Sequence, residues 1–312
     1  MTSCFYNLRK SFQPDVYISN SNILPACDYR IRRLGGYSFV KPLLYVDKSC
    51  ETGLFMPMKQ HILEIIDKDK LQGKLLTASV YVRDFNEGDF MAINENTLYQ
   101  SGALMNIPLL ITYLHLDEND EGYLNKELLL AHSYPNKENR VNITEPGKKY
   151  SLNKLLELMI VKHDNNATNL LYEFVDKKAF QKTFTDVGLT MSGNISQASS
   201  LTADEVSLFM RALYNATYLT SNNSEYATKL LSEGYKRNNK LYPPASVGMA
   251  SSYSSTTDSD VTELHESAII YLNNYPYTIT IMTKGSDEKQ LSDVINQISS
   301  AVYKEIVAKK IS

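Results

Sequence analysis

Residues 76–93 read Leu76-Thr77-Ala78-Ser79-Val80-Tyr81-Val82-Arg83-Asp84-Phe85-Asn86-Glu87-Gly88-Asp89-Phe90-Met91-Ala92-Ile93. The first seven residues alternate and are rich in β-branched side chains, and the last four are similar, so both runs predict strands. Asn86-Glu87-Gly88 lies between them and supplies residues that tolerate positive φ. The stretch therefore predicts an antiparallel hairpin, from which the rest of the fold can be read outward.

Helical patterns flank this hairpin and fill the middle of the chain. Apolar residues at helical spacing predict an amphipathic helix over 57–67. The nearly continuous apolar run over 104–116 is too long for a strand and predicts a buried helix. Further helices are expected over 150–161, 165–174, 178–187 and 202–213.

Strands return near the carboxyl end. Residues 265–272 and 277–283 are β-rich runs around a turn, and the Ser- and Thr-rich segment 246–260 falls where a middle strand belongs. Residues 288–308 predict a closing amphipathic helix. The order predicts an α/β (α+β) fold: an antiparallel sheet of about five strands from both chain ends, flanked by the N- and C-terminal helices. An all-helical subdomain is inserted at about 101–245.

Composition limits the function. The chain has 312 residues, and 32 Lys and Arg against 35 Asp and Glu give a formal net charge of −3. That balance argues against a nucleic-acid partner, whose binding draws on phosphate neutralisation. Cysteines stand at Cys4, Cys27 and Cys50, and neither CxxC nor HExxH occurs. No metal, cofactor or disulfide framework is therefore expected.

Residues 1–44 are expected to form an N-terminal arm ahead of one domain over 45–312. The first residues lack the apolar stretch of a secretion signal, and no run of some 18 apolar residues occurs in the chain. Arg30, Arg32 and Arg33 precede Gly35-Gly36. They fit the flank of a membrane anchor outside the given chain, or an ordinary polar arm, and both readings stay open.

A set of short motifs occurs in a characteristic order along the chain. They include Val80-Tyr81-Val82-Arg83-Asp84, Ile93-Asn94-Glu95, Ile107-Pro108-Leu109, Asp164-Asn165-Asn166, Leu264-His265-Glu266 and Met282-Thr283-Lys284-Gly285. From about Tyr45 to the carboxyl end, the chain resembles the class A β-lactamase and penicillin-binding serine hydrolase family. The resemblance implies that family's fold, a location outside the cytoplasm in the cell envelope, and a peptidoglycan-like peptide or other small ligand.

The resemblance also implies three catalytic motifs, Ser-x-x-Lys, Ser-Asp-Asn and Lys-Thr-Gly, and all three are altered. Aligned by Ile107-Pro108-Leu109, the first falls on Ala103 and Asn106, a methyl group and an amide that does not titrate near neutrality. The second reads His163-Asp164-Asn165, and its distance from the first, 163 − 103 = 60 residues, matches the family. The third falls on Ala250-Ser251-Ser252.

Other chemistry-bearing residues have structural explanations. Ser151-Leu152-Asn153-Lys154 matches Ser-x-x-Lys literally, but Ser151 is expected to cap a helix. Thr283-Lys284-Gly285 is expected to end a strand. The loop that carries a deacylating glutamate in class A enzymes corresponds to residues 188–202, which contain no Asp or Glu.

Relocated catalysis is the alternative, with Ser251 as nucleophile and His163 as base. Ser101 lies two residues before Ala103, and residues two apart on a helix do not share a face. The residues expected to line the cleft are Ser101, His163, Asn165, Ser251 and Ser252.

Three functions follow, in order of preference. The first is a catalytically degenerate pseudoenzyme whose open cleft binds a cell-wall-like peptide. The second is an active serine hydrolase with relocated residues. The third is an interaction protein that uses another surface.

Overall fold

The computed structural model describes residues 17–18, 27–136, 141–190, 199–238, 241–244 and 246–309. Its helices are α1 (Met56–Leu71), α2 (Asn106–Asn119), α3 (Leu152–Val161), α4 (Asn165–Phe174), α5 (Lys177–Val187), α6 (Ala203–Tyr214), α7 (Ser221–Asn238) and α8 (Glu288–Lys309). Its strands are β1 (Tyr17–Ile18), β2 (Tyr29–Arg33), β3 (Leu43–Lys48), β4 (Thr77–Asp84), β5 (Phe90–Ile93), β6 (Tyr99–Gln100), β7 (Glu127–Leu129), β8 (Lys149–Ser151), β9 (Ser200–Leu201), β10 (Gly248–Asp258), β11 (Val261–Tyr271) and β12 (Tyr277–Gly285).

The central sheet has five antiparallel strands in the order β10-β11-β12-β4-β5. Strands β4 and β5 come from the first third of the chain and the other three from the last, with the helical block between them. The predicted fold class is therefore confirmed, including the hairpin over 76–93, whose turn contains Gly88 at φ +69°.

Each face of the sheet carries its own apolar core. Strand residues alternate in direction, so Val80, Ile281 and their neighbours pack with the buried faces of α1 and α8. Tyr81, Met282 and their neighbours pack with the helical subdomain on the opposite face. Within the described part of the chain, no helix combines the length and apolarity needed to cross a bilayer.

The N-terminal arm contains structure that the sequence did not predict. Strands β1, β2 and β3 form a second antiparallel sheet, with Tyr29 opposite Lys48. Two residues beyond that pair, Cys27 and Cys50 form a disulfide with 5.4 Å between their Cα atoms. The sequence leaves the pairing of the three cysteines open, because the hairpin register, and not the sequence spacing, opposes Cys27 and Cys50.

Candidate functional site

The first motif position lies in a short turn before α2. Residues Gly102–Met105 form a 3₁₀ turn, and α2 begins at Asn106. Gly102 has φ +50°, and a Cβ there would lie 2.1 Å from Oγ of Ser254. Only glycine fits this close approach, which presses the turn against β10.

The backbone of Ala103 is engaged by that same serine. The Ala103 amide donates a hydrogen bond of 3.0 Å to Oγ of Ser254, and Ala103 is only 8% exposed. An amide at the start of this helix is the donor that an oxyanion hole would use. In this chain a hydroxyl of the protein already accepts from it.

Sequence reasoning missed Ser254, although a signal was present. Residues two apart in a strand share a face, so Ala250, Ser252 and Ser254 lie on one side of β10. Ser254 follows Ser252, the last residue of the aligned third motif, by two positions and therefore lies on the same face. The first and third motif segments meet in the structure through Ser254, two residues beyond the aligned Ala250-Ser251-Ser252.

A buried ionic cluster holds the chain just before the turn. The Gln100 amide donates to Oε2 of Glu263 at 2.7 Å, and Nζ of Lys284 lies 3.0 Å from Oε1. His265, which is fully buried, places Nε2 3.1 Å from the Gln100 carbonyl oxygen. Burial alone would raise the pKa of Glu263, but hydrogen bonds from His265, Lys284 and the Gln100 amide outweigh it and lower the pKa to about 2. The carboxylate is therefore charged and fixed at neutral pH.

Asn106 replaces the motif lysine with a neutral group that faces another helix. It is 3% exposed, and Tyr172 of α4 donates a hydrogen bond of 3.3 Å from its hydroxyl to Oδ1. The amide oxygen accepts this bond, but the amide does not titrate near neutrality and so cannot serve as a base. The contact joins α2 to α4, the helix that follows the second motif.

The second motif forms the turn between α3 and α4. His163 is half-buried and has φ +54°, a conformation that costs about 1–2 kcal/mol for a residue with a Cβ. Asp164 is fully buried and caps α4 by accepting from the Ala167 amide at 2.7 Å. It also accepts from the Thr144 amide and hydroxyl, at 3.0 and 2.8 Å. Asp164 therefore braces the neighbouring loop.

Asn165 is tied to the same region. Its Nδ2 donates to the carbonyl oxygens of Tyr134 and Pro135 at 3.3 and 3.4 Å, and its Oδ1 accepts from Asn169 at 3.1 Å. Its amide group thus holds the loop before residue 136. A role for Asn165 in ligand binding stays a prediction.

Ser251, the nucleophile of the relocated-catalysis alternative, lies on the side of β10 that faces α8. Tyr253 and Ser255 place their hydroxyls 3.0 and 3.1 Å from the carboxylate of Glu288 on α8. Ser251 shares their side of β10, which is opposite to the side of Ser254. Ser101 is completely buried, and its Oγ has no hydrogen-bond partner among the described residues. The assignment of Ser101 and Ser251 to the cleft, and the pairing of Ser251 with His163, stay predictions.

Most of the residues predicted to line the cleft are buried among the described parts of the chain, and an open cleft stays a prediction. Apart from His163, the predicted site residues are at most 8% exposed: Ser101, Ala103, Asn106, Asn165, Ala250, Ser251 and Ser252. At Gly102 the missing side chain is matched by close packing against Ser254.

The two segments that resemble catalytic motifs by sequence alone, at Ser151 and at Thr283, have the structural roles expected of them. Ser151 caps α3 by accepting from the Lys154 amide at 3.2 Å, and Lys154 pairs with Glu157 on the surface. Thr283-Lys284-Gly285 ends β12. The loop that matches the glutamate-bearing loop of class A enzymes lies partly outside the described residues, because 191–198 are not described.

The sheet order, the inserted helices and the turn of Ala103 against the edge strand define a protein of the β-lactamase and transpeptidase-like class. The comparison of family sequence models makes this specific. The chain belongs to the beta-lactamase enzyme family, whose model matches residues 57–306. No curated protein matched the chain.

Solved structures share this fold at low sequence identity. A β-lactamase from Chitinophaga pinensis DSM 2588 has a TM-score of 0.67 and 16% identity, with 80% of this chain and 98% of that chain covered. The TLA-1 extended-spectrum β-lactamase has a TM-score of 0.69 and 18% identity, with 80% and 98% covered. PBP-A has a TM-score of 0.66 and 16% identity, with 80% and 95% covered.

Proposed function

We propose that this protein is a β-lactamase-family member that forms no acyl-enzyme and holds a cell-wall-type peptide non-covalently. The observation that carries the proposal is the hydrogen bond from the Ala103 amide to Ser254. The Ala103 amide, the donor that an oxyanion hole would use, is already bonded to a hydroxyl of the protein. The same residue also lacks the nucleophilic hydroxyl.

Loss of catalysis rests on several groups that fail together. Ala103 provides no nucleophilic oxygen, and Asn106 provides no base. Ala250, fully buried on the strand beside them, provides no cation for a substrate carboxylate. Residues of one catalytic unit lose activity jointly and not additively, so no single group remains to sustain acyl transfer.

Binding is assigned to the half-buried end of the site, at His163. The strained backbone of His163 is the kind of feature that persists where a function requires it. A peptide carbonyl bound at the Ala103 amide, which is 8% exposed, would have to displace the Ser254 hydroxyl from it. The choice of a cell-wall peptide draws on the family and on PBP-A, a relative whose L158E mutant was solved as an acyl-enzyme complex with penicillin G.

A location outside the cytoplasm is part of the proposal. The Cys27–Cys50 disulfide supports it, because structural disulfides form and persist in oxidising compartments. Fractionation of the source cells, followed by thiol labelling of each fraction, would check this part separately.

Binding is tested with a fluorescein-labelled peptidoglycan stem pentapeptide and fluorescence anisotropy. Saturable binding is expected for the native protein, at least tenfold weaker for Ala103→Trp and at least threefold tighter for Ser254→Gly, which frees the amide. Leu71→Trp, at a 90% exposed position of α1, is the matched control and should bind like the native protein. Equal affinity in all four proteins, or no binding, would overturn the peptide assignment.

A fluorophosphonate probe with mass spectrometry separates this function from a relocated hydrolase. No serine adduct is expected. An adduct on Ser251 or Ser101 would contradict the proposal.

A further inference from the structure

The β2–β3 hairpin presents an apolar tip to solvent. Its loop is closed by a hydrogen bond of 2.9 Å from the Leu34 amide to the Pro42 carbonyl oxygen. Phe39 in that loop is 100% exposed, and Tyr37 and Val40 are each 57% exposed. Large apolar side chains rarely stand so far out of a water-exposed surface without a partner.

The charge of this hairpin is opposite to that of the whole chain. Residues 29–46, here called the basic hairpin, contain Arg30, Arg32, Arg33 and Lys41 and no Asp or Glu. The segment therefore carries +4 within a protein of net charge −3. The flanking acids are Asp28 and Asp47. Asp47 is neutralised by Arg83 and Arg211, and the segment keeps a net positive charge with Asp28 counted.

The basic hairpin is fixed to the body of the protein. Arg32 donates to the Thr185 and Asp186 carbonyl oxygens at the end of α5, at 2.6 and 3.1 Å. Leu44 on β3 is buried in the main core, and the Cys27–Cys50 disulfide closes the base. The apolar tip is therefore held at a defined place on the protein.

We propose that the basic hairpin is a membrane-docking element that inserts its tip into the surface of an anionic phospholipid bilayer. Aromatic and aliphatic side chains enter the headgroup boundary, and flanking Lys and Arg bind the negative surface. The tip is a narrow projection of three side chains. A specific protein partner would need a face of about 800 Å², so the lipid surface is the better fit.

The experiment uses vesicles and a new fluorophore. The chain contains no tryptophan, so Phe39→Trp introduces a single indole at the tip. Vesicles with 30% phosphatidylglycerol and 70% phosphatidylcholine should shift its emission to the blue, and brominated acyl chains should quench it. Vesicles of phosphatidylcholine alone, or 0.5 M salt, should weaken binding at least tenfold.

A matched control exists at the end of α1. Leu71 is an apolar residue and is 90% exposed. Its neighbours Lys68, Lys70, Asp67 and Asp69 are charged, but their charges sum to zero. Leu71→Trp should show neither the blue shift nor the quenching.

Co-sedimentation of the otherwise native full chain tests the same surface without a fluorophore. Phe39→Ser with Val40→Ser should lower vesicle binding at least tenfold, and Leu71→Ser should leave it unchanged. Unchanged binding of the double variant would overturn the proposal. So would a blue shift of Phe39→Trp that depends on protein concentration without vesicles, because that result would assign the tip to a protein contact.

Discussion

Removing the charge of Glu263 should loosen the turn that carries Ala103. Glu263 accepts from the Gln100 amide and pairs with Lys284, so it links β11 to the residue just before that turn. Glu263→Gln keeps the shape and one acceptor oxygen but removes the charge. The variant therefore isolates the ionic contribution to this contact.

The magnitude follows from the lowered pKa. The difference between the ordinary value of 4.5 and the folded value of about 2 corresponds to about 3 kcal/mol of stability at pH 7. Lys284 is 39% exposed and partly screened by water, which reduces the expected loss to about 2 kcal/mol. Because the folded pKa is depressed, this stability is complete above pH 4.5 and declines as the pH falls towards 2. Less than about half of it should remain at pH 3.

The assay is urea unfolding followed by circular dichroism, for the native protein and Glu263→Gln at several values between pH 3 and pH 7. The free energies of unfolding should differ by about 2 kcal/mol at pH 7 and converge towards pH 3. Glu64→Gln, at an exposed position of α1, is the control and should match the native protein throughout. A difference that stays constant with pH would refute the reasoning, because it would show that packing and not charge was lost.

Three further substitutions test the close packing at two glycines and the contribution of the disulfide. Gly102→Ala should lower the free energy of unfolding by about 3 kcal/mol, since its Cβ would lie 2.1 Å from Ser254 Oγ and its φ is left-handed. Adding Ser254→Gly should recover part of that loss, as measured by urea unfolding. Gly234→Ala should cost about 2 kcal/mol in thermal unfolding, because its Cβ would lie 2.7 Å from the Ile160 carbonyl oxygen of α3. Gly→Ala usually stabilises a helix, so a gain in stability would contradict the close packing at this position. Cys27→Ser should cost up to about 3 kcal/mol, and a reductant should lower the native protein to the same midpoint while leaving the variant unchanged.

Much of the fold could be predicted because local pattern and tertiary structure agree in the main domain. The alternation from Thr77 to Asp84 became a central strand, and the apolar run after Leu104 became the buried helix α2. The N-terminal sheet could not be predicted, because its strands are short and bounded by Gly35-Gly36. The Cys27–Cys50 pair needed the register of that hairpin, which sequence spacing does not give.

The site could be predicted only in part, for a related reason. Motif alignment located Ala103 at the start of the buried helix and Asp164 in the second motif, since both depend on local sequence. It did not give the 3₁₀ turn at Ala103 or the cap that Asp164 makes on α4. The contact of Ala103 with Ser254 spans 151 residues and depends on strand direction. The same alternation of the strand places Ser251 on the side of β10 that faces α8, a direction that motif alignment does not give.

The most direct measurement of catalytic silence is the intact mass of the full protein after incubation with penicillin G, with nitrocefin turnover followed in parallel. The native protein should keep its mass and should not exceed a heat-denatured sample in turnover. Ala103→Ser combined with Asn106→Lys and Ser254→Gly restores the hydroxyl, the amine and the amide donor, and is the variant in which an adduct is expected. A stoichiometric penicilloyl adduct on the native protein would contradict the account.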